Sequence, residues 1–521
     1  MLTHVHPARH AGHGTSGPLA SPVISPLFSV ITPVYDPPLG AFLACIDSVR
    51  RQSFADWEWC VVDDRSTRPE VLAALADAAA TDPRIRMAHR AANGGIVAAS
   101  NDALEMATGT YVALLDHDDA LVPDALAIVA AALAPDAPAD VDYLYTDEAH
   151  TLADGRESAH FLKPDWSPER FRSSMYTCHL SVLRRELVDH VGRFRTGFDG
   201  SQDHDLILRV TEEIARRGRR VLHVPALTYH WRNIASSVSR ASGTLSKAVE
   251  NGQRAVQEQC DRLGIDADVV HGPVAGCYRV ARRLRPRMPI TVAVATRLEP
   301  PSGRPYALPV EATIRSLSCW VRRHPVPGVR LVVAHPQDAQ PALVDLLYAE
   351  LGDLWHPVPV PGEWTVATAL DRAMLMYPGE ALVSVAPGLV VRDDQTPDWL
   401  AAMVGLAMSD GAGPVGAMVA DRDDTVLHAG WDVPNYRWYE LAGLRVGMTT
   451  SGNDLLIERE CSHVSLAAAA ISAANWREFR ARAAGRWHDA GRALSQAMLD
   501  AGARTLWTPH ARFDQAVMIE L

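Results

Sequence analysis

The sequence predicts an α/β protein of two successive domains, each built on a Rossmann-like, mostly parallel sheet. Three observations carry this. The 521 residues are 48% hydrophobic and 21% charged, a globular composition in a chain too long for one ordinary core. From Leu27 onward, short apolar β-branched runs alternate with helical patterns, the rhythm of βαβ units. The rhythm then pauses at a helical and basic stretch and restarts at Pro289, as the duplication of one fold would.

The first strand is expected over 28–32, then a helix near 39–51, a strand over 59–62 and a helix near 69–80. A third unit comprises a strand over 85–88, the Gly94-Gly95 turn, a helix over 96–106, and a fully apolar strand over 110–115 that ends in a burst of acid. Loops and short helices fill 163–205, and another strand is expected over 221–225. In the second series, strands over 290–296, 329–334, 355–360 and 381–385 alternate with helices over 310–322, 341–351 and 365–376. The chain divides accordingly into a disordered tail (1–26), a first domain (27–245), a helical and basic linker (246–287) and a second domain (288–521). The tail carries His4, His6, His10 and His13 among Gly, Pro and Ser, where no fixed backbone holds metal ligands.

The net charge of -12 argues against a nucleic-acid binder, whose phosphate partner the average field would repel. Seven cysteines stand singly, without a CxxC pair, which suits a reducing compartment and argues against structural zinc. The N-terminus lacks the apolar core of a signal peptide, and no stretch is apolar enough for a membrane span. A cytoplasmic protein is expected. The basic runs 216–220 and 282–287 are either solvated helix ends or contacts to anionic lipid headgroups.

Ligands of open α/β sheets bind at the carboxyl ends of the strands, and acids gather there. Asp116-His117-Asp118-Asp119 puts three carboxylates directly after a buried strand. Such a cluster repels itself unless a hard divalent ion such as Mg2+ or Mn2+ accompanies it, or unless it is a solvated turn capping the next helix. Asp63 and Asp64 end the preceding strand in the same position. They either accept hydrogen bonds from a nucleobase or ribose, or cap a βα turn. Gly200-Ser201-Gln202-Asp203-His204-Asp205 then opens a helical pattern running to Arg216. Asp203 is a candidate general base for a poorly nucleophilic hydroxyl; the competing reading makes Asp203 and Asp205 helix caps.

The run 28–35, the turn 61–67, Asn93-Gly94-Gly95 to Asn101, the 116–119 tetrad, Lys163-Pro164-Asp165-Trp166-Ser167-Pro168, the segment 200–206 and Tyr229-His230-Trp231-Arg232 occur in the order found in family 2 glycosyltransferases. Over about 27–287 the chain resembles the bacterial members that assemble surface polysaccharide and O-antigen, with the GT-A fold. The resemblance implies an inverting, metal-dependent transfer of sugar from a nucleotide diphosphate to a glycan or lipid-linked acceptor, at the inner membrane face. It places Pro33 and Tyr35 at the base, Asp63 and Asp64 at uracil or ribose, Asp116 and Asp118 at ribose and metal diphosphate, and Asp203 as catalytic base. Gln202 stands where many members carry Glu. His230 is implied as a metal ligand or is a core histidine; Trp231 and Arg232 bound the diphosphate or acceptor; Trp166 stacks on a sugar ring or packs in the core.

In the second half, 332–335 is expected to stand where 61–64 stands, and 379–388 where 109–118 stands. Asp116 then becomes Ala386 and Asp118 becomes Gly388. Gly491-Arg492-Ala493 replaces the acidic motif before the last helix. A GT-A-like domain without catalysis follows, unless Asp393, Asp394, Asp421, Asp423 or Asp424 serve in a shifted register. The rival class is a non-catalytic nucleotide-sugar or glycan-binding protein. A nucleotidyltransferase lacks its Gly-rich phosphate loop here, and a dinucleotide oxidoreductase lacks its GxGxxG turn.

Overall fold

The computed structural model describes residues 25–134, 140–152, 156–232, 242–299, 308–392, 398–431, 441–450 and 452–517. The expected tail, apart from Ser25 and Pro26, and Asp393 and Asp394 lie outside them. No helix among the described residues is long and apolar enough to cross a membrane.

The first half runs β1 (Phe28–Val34), α1 (Leu39–Arg50), β2 (Trp57–Asp63), α2 (Pro69–Thr81), β3 (Ile85–His89), α3 (Gly95–Met106), β4 (Tyr111–Leu114), β5 (Ala120–Leu121), α4 (Ala125–Ala132), β6 (Val141–Thr151), β7 (Glu157–Phe161), α5 (Pro168–Ser173), β8 (Ser181–Arg184), α6 (Arg185–His190), α7 (Gln202–Arg216), β9 (Arg220–Arg232), α8 (Ser242–Leu263), β10 (Ala267–His271) and β11 (Tyr278–Arg282). The second runs β12 (Ile290–Ala295), α9 (Pro309–Arg323), β13 (Val329–Pro336), α10 (Pro341–Glu350), β14 (Trp355–Val360), α11 (Val366–Met376), β15 (Ala381–Val385), β16 (Leu389–Val391), α12 (Trp399–Ala407), β17 (Ala412–Ala420), β18 (Val426–His428), β19 (Arg459–Glu460), β20 (Ala468–Ser472), α13 (Ala473–Phe479), α14 (Trp487–Asp500) and β21 (Arg504–Gln515).

The duplication is visible in the sheets. Their orders, β3-β2-β1-β4-β8-β6-β9-β5 and β14-β13-β12-β15-β20-β17-β21-β16, correspond strand for strand. In each, the first four strands are parallel, and the inner ones, such as β1 and β12, are buried on both faces. The same close approach recurs as well. A Cβ on Gly109 would lie 2.7 Å from the Ser29 nitrogen, and one on Gly379 2.9 Å from that of Thr291, so glycine lets each strand start against its neighbour.

The expected linker 246–287 packs on the first half: Ala255, Val256, Cys260, Val269, Tyr278 and Val280 of α8, β10 and β11 lie in the same apolar core as α3 and α7. Arginines of its basic run are paired: Arg282 with Glu169 and Glu458, Arg283 with Asp266 and Asp268, Arg285 with Glu380. In the run 216–220, Arg216 and Arg217 pair with Glu213 and Arg219 with Asp142.

Candidate functional site

Three βα turns at the carboxyl edge of the first sheet build the site. At the end of β2, Asp63 is buried, accepts the Ser66 N–H at 3.1 Å and lies 3.1 Å from His89 Nδ1. Asp64, also buried, accepts the Gly94 and Gly95 N–H groups at 2.8 and 2.7 Å, with Arg90 Nε 2.9 Å away. The capped-turn reading describes both; any nucleotide contact is added to that duty. At the end of β1, Pro33 offers its carbonyl to His117 Nδ1 at 3.1 Å, which ties the first turn to the acidic one. Tyr35 is half exposed.

The tetrad after β4 splits into two environments. Asp116 keeps a side chain 49% exposed, free to meet a ligand. Asp119 is buried: its Oδ2 accepts from Tyr229 Oη at 2.8 Å and its Oδ1 from the Arg232 N–H at 2.7 Å. Desolvation, reinforced by repulsion from Asp116, pushes the Asp119 carboxyl up to about 8. Arg232 also donates to the Ala41 carbonyl at 3.0 Å and the Asp118 carbonyl at 3.5 Å, which brackets the acidic turn.

Ligand atoms of Asp116, Asp119 and His179 lie within 4.8 Å of one another. Asp118 and His230, the other expected ligands, stand outside that group. Alternation along β9 explains His230. Tyr229 and Trp231 both stack on His179 at 4.7 and 6.2 Å, which turns His230 the other way, 3.4 Å from Glu157. His179 was not singled out in the sequence. It is held by Glu148, a carboxylate inside an almost wholly buried strand, and such a charge signals a partner. The partner is Lys163, with its side chain 0% exposed and its Nζ 3.1 Å from Glu148 Oε2. Desolvation would push the Glu148 carboxyl up, but Lys163, His150 and His179 outweigh it and hold it well below the usual carboxylate range.

Asp203 sits in the first turn of α7. Desolvation and then repulsion from Asp116 push it up to about 6, against the opposing charge of His179. Gln202, expected beside the sugar or acceptor, is fixed against the base. It is buried, receives the Gly200 N–H at 2.7 Å and donates to Asp203 Oδ2 at 3.0 Å. A glutamate there would add a repelling charge beside the base. Asp205 pairs with Arg195 and Arg209, a structural duty. Trp166 is partly buried, packed on Phe171 at 5.1 Å and stacked on Tyr176 at 6.4 Å.

The profile of glycosyl transferase family 2 matches residues 29–192. A PGL/p-HBAD biosynthesis glycosyltransferase of Mycobacterium bovis (strain BCG / Pasteur 1173P2) is 30% identical over 209 residues, 40% of this chain and 77% of that relative. The chain belongs to glycosyltransferase family 2. Its two sheets are a GT-A domain and a second, GT-A-like one. An uncharacterized protein, y4gI, of Sinorhizobium fredii (strain NBRC 101917 / NGR234) is 35% identical over 415 residues, 78% of this chain and 43% of the relative. The O-antigen biosynthesis protein RfbC of Myxococcus xanthus is 34% identical over 414 residues, 78% of this chain and 30% of the relative. This chain therefore spans less than half the length of these two relatives. Alignments of that length extend past the first sheet, so both share part of the second domain.

At the corresponding edge of that second domain, the ladders set Ala386 and Gly388 in the places of Asp116 and Asp118, as expected. In the other turn the register moves by one residue: β13 puts His335 and Pro336, rather than Ala334 and His335, where Asp63 and Asp64 stand. The helix corresponding to α7 starts at Trp487, so Gly491-Arg492-Ala493 lies inside it, and its first turn carries Trp487, His488 and Asp489. Asp424 pairs with Arg512 and Asp421 caps its own turn; among the described residues, Asp421, Asp423 and Asp424 enter no cluster of metal-ligating side chains.

Three more imidazoles gather around Trp431. Trp431 is stacked on His463 at 4.5 Å and lies 3.8 Å from His428 and 4.2 Å from His488. Burial first, then the neighbouring imidazoles, pulls His428 down to about 3. An unfolded imidazole titrates near 6.5, so below about pH 6.5 the unfolded chain binds the proton that folded His428 refuses, and stability falls by up to about 1.4 kcal/mol per pH unit. The melting temperature is expected to drop on acidification from pH 7 to 4.5, and to drop less in His428→Phe. An equal drop in both proteins refutes this.

Proposed function

We propose that the first domain is an inverting glycosyltransferase that moves a sugar from a nucleotide diphosphate to an acceptor hydroxyl, with the help of Mg2+ or Mn2+. The observation that carries it is the convergence of an exposed Asp116, after β4, and a part-buried Asp203, in the first turn of α7, close enough for the charge of the first to raise the second. Asp203 takes the proton from the acceptor hydroxyl; the oxygen attacks the anomeric carbon; the bond to the diphosphate oxygen breaks on the opposite face. With its carboxyl near 6, Asp203 is ionised at neutral pH yet basic enough to accept a proton in the transition state.

The donor set suits a hard divalent ion, which prefers one or two carboxylates together with phosphate oxygens. Asp116, with Asp118 beside it, would hold it, and the ion would neutralise the departing diphosphate. Pro33 and Tyr35 flank the base, Trp231 and Arg232 the diphosphate or acceptor. The O-antigen and PGL/p-HBAD biosynthesis in the names of two relatives support an acceptor in cell-surface polysaccharide or glycolipid assembly, lipid-linked and reached at the cytoplasmic membrane face. The second domain is catalytically silent, because Ala386 and Gly388 replace the two acids a metal diphosphate needs.

Calorimetric titration of the full chain with UDP, GDP and dTDP, each with Mn2+ and with EDTA, is the test. One nucleotide is expected to bind with Mn2+ only, and Asp116→Ala to weaken it by about 10–100-fold or more. No binding of any nucleotide sinks the enzymatic reading; undiminished binding in Asp116→Ala relocates the site.

A further inference from the structure

We propose that His179 supplies a nitrogen ligand to the divalent ion, aimed by Glu148 and the buried Lys163; this rests on the metal-dependent reading above. Glu148 Oε2 accepts the backbone N–H of His179 and lies 3.3 Å from its Nδ1. An imidazole anchored to a carboxylate through Nδ1–H presents Nε2 to an ion, which would take the place of the proton held there in the ion-free site. That nitrogen faces Asp116 Oδ2 at 3.7 Å, too long for a hydrogen bond. It is within the span of two ligand atoms that each stand about 2.1 Å from one shared ion.

The remaining member of the trio is committed elsewhere. Asp119 gives one oxygen to Tyr229 and the other to the Arg232 N–H, and the Tyr229 ring lies flat against His179, 16° from parallel. Asp119 thereby fixes the tyrosine on which the imidazole rests, and Asp116 and His179 are left as the open pair. Lys163 donates to Glu148 and also to the Thr177 and His179 carbonyls. One ammonium therefore neutralises the orienting carboxylate and clamps the backbone of the ligand residue. A buried carboxylate without such a partner would be too costly to keep charged. His230, whose Nε2 is turned to Glu157, takes no part.

An imidazole in the set changes the choice of metal. Mg2+ demands oxygen donors in near-ideal octahedral geometry, whereas Mn2+ tolerates a nitrogen and binds mixed N/O sites more tightly. The full chain is expected to prefer Mn2+ over Mg2+, with the preference reduced in His179→Gln.

The test is pulsed EPR of the full chain loaded with Mn2+ and whichever of UDP, GDP or dTDP binds. A directly bound nitrogen-14 coupling is expected in the wild type and in His230→Gln, and its loss in His179→Gln. Glu148→Gln is expected to weaken Mn2+ binding by about 10–100-fold, the usual cost of removing a ligand's orienting partner. Wild-type protein that binds Mn2+ without a nitrogen coupling overturns the proposal and leaves the metal-dependent reading standing, a result that needs no variant to fold. A coupling that survives in His179→Gln and disappears in His230→Gln also overturns it. Failure of Mn2+ to bind with any of the three nucleotides removes both readings.

Discussion

Asp203→Asn is expected to lower the transfer rate by about 10²–10⁴-fold, the usual worth of a positioned general base, while metal-dependent nucleotide binding survives. The amide keeps the shape and the hydrogen bond from Gln202 Nε2 but cannot take the acceptor proton. The wild-type pH profile carries the second half of the prediction. Desolvation and the Asp116 charge hold Asp203 up at about 6, and the base works only when ionised. The kcat/KM should therefore fall as the pH drops through about 6 and level off above it. Asp116→Asn removes the repelling charge, so the surviving activity of that variant should show the limb at lower pH. A wild-type limb near the ordinary carboxylate value, or unchanged turnover in Asp203→Asn, would show that another group takes the proton.

Much of this site is legible in the sequence because the acids follow short, wholly apolar strands, where a βα turn must open at the sheet edge. Tyr111–Leu114 and the tetrad behind it are of this kind. What stayed hidden depends on partners far along the chain. Strand β6 reads Val-Asp-Tyr-Leu-Tyr-Thr-Asp-Glu-Ala-His-Thr, neither alternating nor apolar. It is buried because Asp142 meets Arg184 and Arg219 and Glu148 meets Lys163. His179 likewise owes its place to Glu148, 31 residues earlier, and no local pattern marks that. The separate fate of Asp119 follows from Tyr229, which lies on the last strand of the sheet. Periodicity finds elements, and adjacent acids find an edge. Which of three neighbouring carboxylates faces outward is decided by side chains that only the folded sheet brings near.

The second domain has a structural claim on the first, and removing Glu169 should expose it. Glu169 is buried in α5, five residues beyond Pro164 and six beyond Lys163. Three guanidiniums converge on it: Arg172 at 2.8 Å, Arg282 at 2.5 Å and Arg504 at 3.4 Å. Arg504 belongs to the second sheet and also pairs with Glu460 at 2.7 Å; Arg282 reaches Glu458 at 2.9 Å. The neighbouring Ser167 and Arg170 bond to Glu460 and Asp454, so the start of α5 is laid against the second domain. Desolvation alone would push Glu169 up, but the three arginines hold it far below the usual range, so it is a charge that cannot be lost quietly. Taking one member from a buried ionic network costs about 3–5 kcal/mol, because the remaining charges stay desolvated. By contrast, the exposed pair of Arg285 and Glu380 should be worth at most about 1 kcal/mol. Glu169→Gln is therefore expected to lower the denaturant midpoint sharply and to split unfolding into two transitions as the halves uncouple, whereas Arg285→Gln changes little. If Glu169→Gln unfolds like the wild type in a single step, the network is not what joins the domains, and apolar contacts such as those of Cys277 with Leu456 and Ile457 must do so instead.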